Sequence, residues 1–165
     1  MFPPSNSLLG LSLSLSPRII EKYMSIPFLN GGRDERGVDC WGLVYLVYLQ
    51  ELGITLPTYG AISATELLAI QRQVETDKQN EIWVPIGDRA ERPFDIVVMT
   101  GTLRPQGGGH LRSALVHMGL VTKSRHVLHT EEGVGVQHIP FKGAGAPAAI
   151  KARVREIYRH VTHSG

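Results

Sequence analysis

The chain has 165 residues, 42% hydrophobic and 19% charged, which suits one ordinary globular domain with a core of its own. Seventeen Lys and Arg against fifteen Asp and Glu leave a net charge of +2, so bulk electrostatics argue against a chain-wide nucleic-acid-binding surface. A single cysteine, Cys40, excludes an intramolecular disulfide and any site made of several thiolates.

From Leu11 to Ser16 the sequence alternates Leu and Ser, the two-residue period of a strand with one apolar face. No Lys or Arg precedes these leucines and no A-x-A site follows, so residues 1–17 read as an arm rather than a secretion signal. The arm is expected either to add to the sheet edge of another subunit or to be a disordered leader. Residues 18–165 read as one domain. No apolar run approaches the roughly 18 residues that a membrane span requires.

Residues 18–25 are expected to form a short helix before Pro27, and Asn30-Gly31-Gly32 a loop. From Cys40 to Leu52 nearly every residue is apolar, so this segment must be buried almost all round. Its length, with Asp39 as N-cap and Gly53 as stop, predicts a central helix. Ser63-Ala64-Thr65-Glu66 has the capping-box pattern and opens a second, amphipathic helix through Leu67, Leu68, Ile70 and Val74. Beyond Pro93 come short β-rich runs at 95–99, 114–122, 126–130, 134–141 and 153–159. A Gly-rich loop, 101–112, separates the first two, and turn residues join the others as antiparallel hairpins. Helices followed by strands predict an α+β domain. The basic residues concentrate at the end, with five Lys and Arg and one acid in 142–165, as in a solvated terminus.

Cys40 directly follows the expected cap. There the helix dipole and free backbone N–H groups favour a thiolate, which predicts a thiol pKa below its ordinary value of about 8.5. A thiolate that attacks an amide needs an imidazole to pair with it and then to protonate the departing amine. Of the seven histidines, His117 and His129 each lie in an apolar strand pattern. A hairpin turn centred on Lys123 would put them directly opposite, within about 5.5 Å at Cβ, so that one ring can orient the other. Two hydrogen-bonded histidines in a half-buried sheet are the alternative without Cys40.

Val38-Asp39-Cys40-Trp41-Gly42-Leu43-Val44, His117-Met118-Gly119-Leu120-Val121, and Leu128-His129 with Gly133-Val134-Gly135-Val136 together resemble the NlpC-type cell-wall cysteine peptidases. The likeness runs from about Pro27 to the C-terminal strands. It is strongest to the phage-tail subgroup, in which Asp-Cys-Trp-Gly replaces Asp-Cys-Ser-Gly and an acidic Glu-Glu-Gly-Val-Gly-Val run follows the third site residue. The resemblance implies a papain-like α+β fold, with the Cys-bearing helix packed on an antiparallel sheet that carries both histidines. It implies Cys40 as nucleophile, His117 as base and acid, and His129 as the residue that orients His117. Asp39 is expected to cap the helix and fix the Cys40 backbone.

The same resemblance implies the peptide stem of peptidoglycan as substrate, a phage tail tip as location, and other tail-tip or hub proteins as partners, reached through residues 1–17. One departure stands out. Where the family often has Tyr in a Pro-Tyr-x-x-Gly-Gly segment, this chain has Phe28, and loss of one oxyanion-type donor can cost on the order of a hundredfold in rate. No His-Glu-x-x-His helix and no phosphate-binding loop occur, so neither a metal nor another cofactor is expected. The alternative function is a structural tail-tip adaptor that keeps the peptidase fold. A third reading is a related cysteine, histidine-dependent amidohydrolase acting on a different cell-wall bond.

Overall fold

Ser16 caps helix α1, Pro17–Met24, by accepting the Ile19 N–H, and Pro17 occupies the first turn. The computed structural model describes residues 14–58, 82–100 and 116–163. The expected capping-box helix and Gly-rich loop lie outside the described residues, as do residues 1–13 of the expected arm.

The end of that arm is part of the domain. Ser14 bridges Lys123, the Leu15 N–H bonds to the Thr122 carbonyl at 2.7 Å, and Leu15 is buried in the main core. At these residues the expected boundary after residue 17 therefore shifts: they pair with the sheet of their own chain.

Next comes a two-residue hairpin that was not expected, β1 (Arg33–Asp34) with β2 (Gly37–Val38). It leads into helix α2, Cys40–Val47, whose residues are buried apart from the half-buried Tyr45. The expected helix continues to Leu52, but as a π-helical turn over Tyr48–Leu52, which stops at Gly53 in the left-handed region (φ 66°).

The remaining elements are β3 (Trp83–Pro85), β4 (Ile96–Thr100), β5 (Val116–Lys123), β6 (His126–Glu131), β7 (Gly135–Pro140), helix α3 (Ala148–Arg153) and β8 (Val154–His160). Among the described residues these six strands form one antiparallel sheet in the order β3-β8-β4-β5-β6-β7. Strand alternation sorts the apolar residues onto two faces. Ile96, Met118, Leu120, Leu128 and Tyr158 face α2, while Val97, Met99, Val121, Val127 and Ile157 form a second cluster with Phe141 and Ile86. The buried Asp95 carboxylate holds Arg159 of β8 through two 2.8 Å bonds, so the charges inside the sheet are paired.

The β5–β6 register differs from the expected one. The turn is not symmetric about Lys123: pairing shifts between Val121 and Lys123, and Arg125 adopts a left-handed conformation (φ 64°). His129 therefore faces Gly119, and His117 stands diagonal to it on the same face.

Candidate active site

The loop before α2 is locked onto the helix start by one side chain. Buried Asp39 accepts the Gly42 N–H at 2.7 Å as N-cap, the Gly31 N–H at 2.9 Å, and the Arg33 Nη1 at 2.7 Å. Capping was expected of it; tying the glycine loop to the helix through Arg33 was not. Arg33 also donates to the carbonyls of Gly32 and Thr58, and the Trp41 indole N–H donates to the Pro57 carbonyl at 2.8 Å. The loop approaches so closely that a Cβ on Gly42 would lie 1.9 Å from the Gly32 oxygen, which is why glycine follows Asp39-Cys40-Trp41. Phe28 lies beside this assembly, half-buried, bridging Val38.

Cys40 is the first residue of α2 and is 3% exposed. Its thiol is hydrogen-bonded by the backbone of Met118, the residue after His117, and by that of Trp41. These bonds and the Arg33 charge favour the thiolate, yet burial, reinforced by the Asp39 charge, pushes the thiol up to about 12. The expected lowering is thus reversed in the resting site. The helix N-terminus is in place, but desolvation outweighs it.

Both histidines stand on adjacent strands, His117 in β5 and His129 in β6. Diagonal placement brings the rings edge to face, with His117 Nε2 2.8 Å from His129 Nδ1. Gly119 makes room for this contact, since a Cβ there would meet Val127 Cγ2 at 2.4 Å and His129 Cβ at 3.2 Å. Burial, then His129 and Arg153, holds His117 well below the ordinary imidazole range. Burial likewise lowers His129, with Glu131 opposing and Arg153 adding to the shift. The resting pair is therefore neutral, and His129 Nε2 is buried with no hydrogen-bond partner among the described residues.

Glu131, two residues beyond His129 on the same face of β6, completes the group. Its Oε1 lies 3.9 Å from His117 Nε2 and 3.8 Å from His129 Nδ1, and it is ion-paired with Arg153. The two-residue strand period was the signal that could have identified Glu131. Arg153 and Arg33 come from distant or irregular segments and carry no such signal. The ligand atoms of His117, His129 and Glu131 lie within 4.8 Å of one another. The 2.8 Å contact between ring nitrogens is nonetheless a hydrogen bond, and Arg153 already occupies the carboxylate, so we read the three as a hydrogen-bonded and ion-paired network.

A thiol at a helix N-terminus, bonded to the backbone of the residue that follows a hydrogen-bonded imidazole, brings together the two group types that acyl transfer by a cysteine uses. The family model for the NlpC/P60 family matches residues 25–154. Among solved structures, the NlpC/p60 domain of the peptidoglycan hydrolase SagA is similar at 18% identity and TM-score 0.49, over 85% of this chain and 92% of that one. A Staphylococcus aureus protein described as similar to a lipoprotein of the NLP/P60 family aligns at 13% identity and TM-score 0.48, over 90% of this chain and 43% of that one. No curated protein sequence matches the chain.

Proposed function

The chain belongs to the NlpC/P60 family, and from that membership we propose that it is a cysteine endopeptidase that cleaves amide bonds in the peptide stem of peptidoglycan. One observation carries the reading: the thiol of Cys40 sits against the backbone of Met118 while the preceding residue, His117, is held through Nε2 by His129. With Nε2 so engaged, Nδ1 is the nitrogen left to take the thiol proton. That assignment puts a proton on His117 Nε2, donated to His129 Nδ1.

In the proposed reaction Cys40 Sγ passes its proton to His117 Nδ1 and attacks the carbonyl carbon, giving a tetrahedral intermediate. The helix N-terminus, including the Cys40 N–H, faces the developing oxyanion in place of the hydroxyl that Phe28 lacks. The imidazolium of His117 then protonates the amine as the C–N bond breaks, leaving a thioester on Cys40. Water, deprotonated by the same imidazole, releases the acyl group and restores the thiol.

The Asp39-Cys40-Trp41-Gly42 block and the Glu131 to Val136 run support a place in a phage tail tip, acting on the cell wall during penetration. Contact with tail-tip or hub proteins is proposed for the part of the arm before Ser14, because Leu15 and Ser16 are used within the domain. The closed state of the site, with a thiol pushed up to about 12, favours the second reading, a structural adaptor that keeps the fold. Incubation with defined muropeptides and mass analysis of the products separates the two. A hydrolase releases a cleaved stem and loses turnover by about 10⁴-fold or more in Cys40→Ala with its fold intact. Unchanged muropeptides with the wild-type protein, or an undiminished rate in the variant, overturn the peptidase reading.

A further inference from the structure

The proton that leaves Cys40 creates a positive charge on a buried pair of rings, and a buried charge must be compensated. The charged groups that act on that pair are Glu131 on β6 and Arg153 at the end of α3, while Cys40 at the start of α2 reaches β5 through the Met118 backbone, with Asp39 and Arg33 beside it. Met99 of β4 and Gln137 of β7, which face His117 and His129 in the register, bring no charge. Glu131 is the nearest carboxylate on the histidine side, 3.9 Å from His117 Nε2 and just outside hydrogen-bond distance. Arg153 holds it there, and Arg153 is itself fixed by donating its Nε–H to the Thr100 carbonyl at 2.8 Å.

We propose that Glu131 is a positioning residue of the reaction, the counter-ion held in reserve by Arg153 for the imidazolium that His117 becomes. This rests on the peptidase reading for its purpose and not for its test. With the dyad neutral, the carboxylate belongs to Arg153. Once His117 carries two protons, the ring and the carboxylate attract, and a movement of under an ångström brings Oε1 within hydrogen-bond distance of the Nε2–H, which it then shares with His129 Nδ1. Arg153 keeps the carboxylate from binding the rings too early, which would protonate His117 and cost it its role as base. Glu131 contacts no reacting atom and acts through the histidine pair.

The two charges therefore act in opposite directions on the same rings, and a merely structural pair would shift the midpoints without lowering the plateau rate. The experiment is the ring titration of His117 and His129 by ¹⁵N NMR in the full chain, with the pH profile of muropeptide cleavage alongside. In Glu131→Gln the midpoint falls by about one pH unit and the plateau rate falls about tenfold. In Arg153→Met the midpoint rises and the acid limb of the rate moves to higher pH. Glu131→Asp, which keeps the charge on a shorter stem, gives a midpoint between wild type and Glu131→Gln. That variant decides the matter if Arg153→Met does not fold. Midpoints that stay put in Glu131→Gln, or that move the same way in Glu131→Gln and Arg153→Met, overturn the proposal. A wild-type protein without cleavage activity but with opposed midpoint shifts overturns only the peptidase reading.

Discussion

The two halves of the site are built by opposite rules. Around Cys40, a single carboxylate, Asp39, accepts three donors and binds helix, loop and guanidinium into one piece. Around the histidines the polar groups are under-supplied: His129 Nε2 and the neighbouring Thr130 hydroxyl are buried without partners among the described residues, and Glu131 stands short of the rings it faces. The nucleophile has only to be held still, so one carboxylate gathers its surroundings, with Arg33 Nη2 left without a hydrogen-bond partner among the described residues. The base must gain and lose a proton, and spare bonding capacity lets its surroundings follow that charge.

Each half can be broken separately. Gly42→Ala attacks the rigid half, because its Cβ meets a backbone oxygen that cannot turn aside. The expected loss is about 4 kcal/mol in urea denaturation, or no folded protein at all. The histidine half is exposed by acid. With folded-state pKa values depressed below the ordinary 6.5, in His129 to about 4, these rings are protonated in the unfolded chain but not in the folded one across that window. Stability is therefore full above pH 6.5 and falls as the pH drops towards 4. Between pH 7 and pH 5 the pair should lose about 3 kcal/mol, read from denaturation curves at the two values.

A softer test of the same half is Gly119→Ala. Its Cβ meets first a valine methyl, which can rotate, and only then the Leu128 oxygen at 3.1 Å and His129 Cβ at 3.2 Å, so the expected cost is about 2 kcal/mol, accompanied by a displaced His129 ring signal in NMR. The smallest effect is expected for Trp41→Phe, which removes one indole bond to the Pro57 carbonyl, about 1 kcal/mol by the same denaturation assay. A loss for Gly119→Ala that exceeded the loss for Gly42→Ala would invert the contrast.

Legibility in the sequence follows the same division. The all-round apolar run from Cys40 to Leu52, bounded by Asp39 and Gly53, marks a buried helix because caps and burial are local properties, and the strand runs after Pro93 lie close to β4 to β8. Residue pairings set by irregular backbone were not legible. The Arg33 to Val38 hairpin has two-residue strands too short to show a period, and the shift at Val121 to Lys123 depends on a bulge that no residue type announces. His117 and His129 were expected face to face and meet diagonally, a contact made possible by Gly119. The thiol was expected to be acidic from its helix position alone, whereas its pKa depends on how deeply the assembled domain buries it, which is a tertiary quantity.

Strand β8 follows β3 and β4 in the chain but lies between them in the sheet. During synthesis, the hairpins from β4 to β7 can close as they emerge, while β3 has no partner and β4 shows an open edge until residues 154–160 arrive. Arg159 arrives with that strand, so the carboxylate of Asp95 also lacks its partner until then, whereas Arg153, the residue before the strand, is already present for Glu131. A nascent chain halted before Val154 would expose unpaired strand edges beside Trp83 and Ile96, the kind of surface on which chains aggregate and proteases act. The pairing of Asp95 inside the sheet is thus among the last features of the domain to form, and a ribosome-bound chain short of β8 carries the cysteine, the histidines and Arg153 but leaves the Asp95 carboxylate unpaired by Arg159.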